Sequence, residues 1–217
     1  MLYIRISPED APARNIPLQQ RLMALLTRSA AMGVLSNEPV TKLDVATLRR
    51  LVNDLQGWKL LSSATVDLAP LLRKDPADLD AKTAEHMEVA VGKLVDALDD
   101  SPSPASEWST MREIFGDEAL SRLVGVAETS LRRYAAGTRE TPQLIAERLH
   151  WLAMVVGDLA GAYNAFGIRR WFERPRTQLN GGSPRQFLGD DWHVDDESAR
   201  QVRALAASLI GAQPLAA

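Results

Sequence analysis

The chemistry open to this chain is limited first by what it lacks. No cysteine occurs among its 217 residues, which removes thiolate nucleophiles, thiolate metal sites and disulfides together. Its three histidines, His86, His150 and His193, lack the i, i+4 pairing that places two imidazoles on one metal. No acid/base pair, activated nucleophile or metal set stands out that caps and surface charge do not explain more simply. The chain therefore reads as a binding protein rather than an enzyme, with no cofactor implied. What remains is recognition by arginine. Residues 117–189 carry ten arginines, no lysine and seven acids, a net of +3, whereas residues 1–116 and 190–217 each sum to −3. A guanidinium fork suits phosphate and base edges better than general solubility does.

Four of those arginines lie in or just beyond a segment with the grammar of two short helices around a tight turn: apolar pins, a small residue at the crossing and a turn glycine. With Asp117 as position one, Leu120, Val124, Val126, Leu131 and Tyr134 fall at positions 4, 8, 10, 15 and 18, with Ser121 at 5 and Gly125 at 9. The second helix would begin near Ala127 and project Glu128, Thr129, Arg132 and Arg133 away from the packed face, toward a DNA major groove. Arg139 would reach a phosphate. Thr129, Arg132, Arg133 and Arg139 are thus the candidate DNA contacts. Glu128 repels phosphate unless it accepts from a cytosine amino group, and it alternatively caps the helix. The competing reading is a plain helical hairpin in which Gly125 ends a helix and the arginines are solvated.

The elements that must position these residues read as all-α. Leu18, Leu22, Leu25 and Leu26, then Leu48, Leu51, Val52 and Leu55, then Met87, Val91, Leu94, Val95 and Leu98 each step by three or four along one helical face. Thr41 with Asp44, Gly57 and the pair Asp75-Pro76 are the expected helix punctuation. Leu2, Ile4 and Ile6 alternate too briefly to establish a sheet. The run 99–106, with two prolines, three serines and two acids, is the expected linker. After it, Ser106 would cap a helix carrying Trp108, Met111, Ile114 and Phe115. Thr141-Pro142 would open a long helix striped by Ile145, Leu149, Leu152, Val156 and Leu159, and a last helix would run from about Glu197 to Ile210 with Val202, Leu205 and Leu209 in line. The expected organisation is an N-terminal helical domain (1–98) of unknown role, the linker, a helix-turn-helix domain (107–160) and a C-terminal segment (161–217). The longest apolar run, Trp151 to Gly157, is far short of the ~20 residues that cross a bilayer, and the first ten residues lack a signal-peptide core. A cytoplasmic chain is expected.

Residues 117–139 resemble an Xre-type helix-turn-helix, and 171–188 resembles the toxin-binding signature of the Xre/MbcA/ParS antitoxin family. Trp171, Phe172, Pro175, Leu179, Gly181, Gly182, Ser183, Pro184, Phe187 and Leu188 fit that signature in register, while Arg176 stands where the family often has Asn and Gln186 where it often has Asp. The resemblance spans roughly Glu107 to Gly211. It implies an antitoxin that binds operator DNA and blocks a RES-domain, NAD-consuming toxin, working as a homodimer or as a larger complex with that toxin. The toxin-facing residues it implies are Trp171, Arg174, Arg176, Gln178, Gly181, Gly182, Ser183, Pro184 and Arg185. Pro175 and Pro184 on either side of two glycines suggest an ordered turn, with Trp171, Phe172, Phe187 and Leu188 as anchors and Arg174, Arg176, Gln178 and Arg185 at the rim. Composition alone favours simple domain packing for those aromatics. The acids Asp190, Asp191, Asp195, Asp196 and Glu197 read first as helix-start charges and, more sharply, as a match for a basic nucleotide-binding cleft. The other function in view is a stand-alone helix-turn-helix regulator without a toxin.

Overall fold

A computed structural model describes residues 15–35, 40, 44–56, 68, 73–74 and 78–211. The helical stripes form nine helices there, and no extended strand occurs among the described residues. The described residues divide into two compact units, one of 15–30 and 34–101 and the other of 31–33 and 102–211.

The first unit holds α1 (Ile16–Ala31), α2 (Val45–Gln56) and α3 (Ala81–Asp99). All three expected leucine- and valine-rich stripes are buried. Each helix starts on a carboxylate or amide cap, since Asn15, Asp44 and Asp80 accept from the backbone N–H three residues on, at 3.0, 2.9 and 3.0 Å. Asp44 itself therefore occupies the cap position that the pattern gave to Thr41; Thr41, Gly57, Asp75-Pro76 and the Leu2–Ile6 alternation lie outside the described residues.

The second unit begins with α4 (Pro104–Val124), followed by α5 (Glu128–Ala135), α6 (Gln143–Ala160), α7 (Ala165–Glu173), a 3-10 turn at Thr177–Leu179, α8 (Pro184–Leu188) and α9 (Glu197–Gly211). Ser103, not Ser106, takes the N-cap position of α4, because Pro104 is tolerated only in the first turn, and the Ser106 hydroxyl donates back to the Ser103 carbonyl at 3.1 Å. Helix α6 is the hub. It packs on α4, α7 and α9, and every residue from Arg148 to Leu159 is buried, Arg148, His150 and Asp158 included, as expected of a helix surrounded by neighbours. The chain thus shows no break near residue 160, and the two C-terminal domains expected from sequence form one compact unit. In α9 the buried line is Ala199, Val202 and Ala206, with Leu205 half-buried beside it.

No single helix among the described residues is long and apolar enough to cross a membrane; α6 and α7 have that length and composition together, but are bent by 115°.

Candidate nucleic-acid interface and docking loop

Helix α4 is two helices joined at Gly116, whose φ of 74° and ψ of 166° no helix contains. The segment from Asp117 to Val124 is the first helix of the expected motif, Gly125 is its left-handed cap at φ 75°, and Ala127 caps α5. Leu120, Val124, Leu131 and Tyr134 are buried as the pins, Ser121 is buried at the crossing, and Val126 is half-buried. Helix α5 has eight residues, too few to persist alone, and tertiary packing holds it. Part of that packing is Tyr134 stacked on Trp108 with ring centres 6.1 Å apart, while the Trp108 indole donates to Thr141 Oγ1 at 3.0 Å.

Gly125 is demanded twice. Its backbone is left-handed, and a Cβ there would run into Arg148 Nη1. Arg148 is buried; its Nη1 donates to the Val124 carbonyl at 3.1 Å and its Nε to the Trp192 carbonyl at 2.7 Å. Trp192 Nε1 in turn donates to the Leu123 carbonyl at 2.9 Å. These two side chains satisfy carbonyls that the end of a helix leaves open. Burial lowers the basicity of Arg148, and Asp191 and Asp196 oppose that shift. One of the ten arginines is therefore an internal cap and no phosphate contact.

The outward face of α5 carries Thr129, Arg132 and Arg133, all exposed. Arg132 is tied on one side: Nε donates to Asp117 Oδ2 at 2.8 Å and Nη2 to Glu128 Oε2 at 2.8 Å. Asp117 also accepts from Arg112, at 2.7 Å from Nε. Hydrogen bonds from Arg112 and then Arg132 hold the Asp117 carboxyl down at about 2. Arg122 pairs with Glu118. Arg139 is exposed, with its guanidinium 5.4 Å from the centre of the Tyr134 ring. Among the described residues, the Arg133 guanidinium has no hydrogen bond or ion pair.

The second expected site separates into interior and rim. Trp171 and Phe172 are buried, with Phe172 edge-on to Phe115 at 5.3 Å, so Trp171 is a packing residue and offers no face to a partner. Ser183 and Pro184 are likewise interior: the Ser183 hydroxyl accepts from Gln186 N at 3.3 Å and the Gln186 side chain accepts from Ser183 N at 3.0 Å, a capping box that starts α8. Arg176 leaves the expected rim and lies half-buried with its guanidinium 4.7 Å from the centre of the Trp171 ring; desolvation lowers its basicity. Arg185 pairs with Glu173 at 2.9 Å. The turn is closed by Gly181 N donating to Arg176 O at 2.9 Å and Arg176 N to Gly182 O at 3.0 Å, with Asn180 and Gly181 both left-handed. Arg174, Gln178 and Gly181 remain on the surface, and Gly182 is half-buried.

Two features escaped the sequence reading. Arg169 Nη1 donates to the Ile114 carbonyl at 2.7 Å, serving an acceptor that the Gly116 break exposes. Phe166 is 62% exposed on α7, where Arg170 and Arg174 carry guanidiniums with no hydrogen bond or ion pair among the described residues. An aromatic followed by arginines at i+4 and i+8 was the available signal. The acids 190–197 are mixed: Asp196 accepts from His193 N at 2.6 Å and Glu197 pairs with Arg200, while Asp190, Asp191 and Asp195 are exposed. Compared with known proteins, the chain matches no family model, no curated protein and no solved structure.

Proposed function

We propose that this chain is a cytoplasmic antitoxin that binds operator DNA through Asp117–Ala135 and docks a RES-domain toxin on the rim beside α7 and α8. The observation that carries the reading is the helix-turn-helix itself: a left-handed glycine between two pinned helices, with Thr129, Arg132 and Arg133 outward on the second. A homodimer would set two such helices on half-sites one DNA turn apart and double the positive charge of one chain. The toxin-facing set is Arg174, Gln178 and Gly181, joined by Phe166 and Arg170, an aromatic and arginine mixture of the kind that anchors interfaces. Trp171, Ser183 and Pro184 keep that rim stiff from behind. The protein acts by binding alone and blocks its partner without a reaction of its own.

The stand-alone regulator is the second reading, favoured by the burial of Trp171, Ser183 and Pro184, which explains their presence without any toxin. Co-expression with a neighbouring RES-domain gene product separates the two. A stable complex that relieves growth arrest supports the antitoxin, and loss of that complex in Phe166→Ala with Arg174→Glu locates the rim. Free protein throughout, with duplex binding intact, leaves the regulator.

A further inference from the structure

We propose that Asp117 and Glu128 are positioning residues that hold Arg132 so that its remaining donors read a guanine. The inference rests on the DNA-binding reading of α5. Of the five N–H groups of a guanidinium, Asp117 takes the one on Nε and Glu128 takes one on Nη2. Nη1 has no partner among the described residues, and the side chain is 56% exposed. Its two hydrogens and the second hydrogen of Nη2 are left for a ligand.

Two carboxylates around one cation decide which ligand that is. They cancel the charge that attracts phosphate, yet leave the direction of the donors intact, and guanine O6 and N7 form the neutral pair of acceptors that a guanidinium matches bidentately. A phosphate approaching Arg132 would also meet Glu128, and its full negative charge is repelled far more strongly than the partial charges of a neutral guanine edge. The network is anchored away from α5: Asp117 also accepts from Arg112, on the other side of the Gly116 break, and this holds one end of the guanidinium to α4. Asp117 stays ionised at any working pH because its carboxyl sits at about 2. Arg132 therefore pays little ordering entropy on contact, since its rotamer is fixed beforehand. Thr129, Arg133 and Arg139 are left for the backbone.

The test uses the full chain and duplexes enriched by it from a randomised pool, with each guanine replaced in turn by 7-deazaguanine, which lacks the N7 acceptor. Affinity is read by fluorescence anisotropy at several salt concentrations, and folding by circular dichroism. The expected result is one guanine per half-site whose replacement weakens wild type roughly 5- to 150-fold and leaves Arg132→Ala unchanged. In Glu128→Gln, and separately in Asp117→Asn, that penalty shrinks several-fold while affinity for random duplex rises. A penalty in both variants equal to wild type overturns the positioning role. Equal loss on every duplex for Arg132→Ala, with a salt slope reduced by about 0.9, makes Arg132 a phosphate contact and also overturns it. Enriched duplexes with no sensitive guanine overturn this inference alone, and a pool from which wild type enriches nothing overturns the DNA-binding reading with it.

Discussion

At the scale of single residues, neighbours decide what each side chain is free to do. Asp117 is the strongest case, because its depressed pKa is a statement about stability. Its ordinary value is 3.8 and its folded value about 2, so the Arg112–Asp117–Arg132 network contributes fully above about pH 4 and is lost as pH falls through about 2. Asp117→Asn is expected to lower stability at pH 7 and to flatten the pH dependence between 4 and 2, which urea titrations across that range would show. Gly125→Ala combines a left-handed backbone with a close approach to Arg148, and should destabilise by about 1–3 kcal/mol in thermal melts; an unchanged melting temperature would mean that Arg148 does not hold the turn.

Among elements, surface and packing positions answer mutation differently, and the segment from α7 to α8 contains both. Trp171→Ala should cost about 3–5 kcal/mol of fold stability, because it empties a core site beneath Arg176 and beside Phe172. Arg174→Glu, at an exposed position, should leave stability within about 0.5 kcal/mol and instead slow partner association, more at low salt than at high. Denaturation curves paired with stopped-flow on-rates distinguish the two. Ser183→Ala removes the capping box of a five-residue helix and should lose about 0.5–2 kcal/mol. Gln186 explains itself at this scale: its side chain closes the box that Ser183 opens, both at the N-terminus of α8.

The whole molecule is two units, and the second carries both candidate sites on one core. Helix α6 supplies that core, and a buried Glu107–His150 contact of 2.6 Å ties it to the start of α4. A fragment of 102–217 is expected to fold cooperatively by itself, with one thermal transition and dispersed amide resonances; a molten fragment would show that 102–217 does not suffice as a folding unit. The sequence alone determined the helical class, the stripes of α1 to α3 and the glycine-centred turn, because those follow from local periodicity and backbone preference between near neighbours; the run 99–106, expected as a linker, is shorter than that in the structure, since Asp99 ends α3 and Pro104, Ala105 and Ser106 already belong to α4. Which arginines are committed to partners within the fold was decided only by tertiary structure. Arg148, Arg169 and Arg176 have the composition of a basic surface, yet they cap helix ends and cover an indole, since their partners lie 24 to 55 residues away for Arg148 and Arg169 or across a turn for Arg176. Burial of Trp171 and Ser183 follows from the same cause: periodicity marks a residue as apolar or small, but only the packing of α4, α6 and α7 chooses between core and rim.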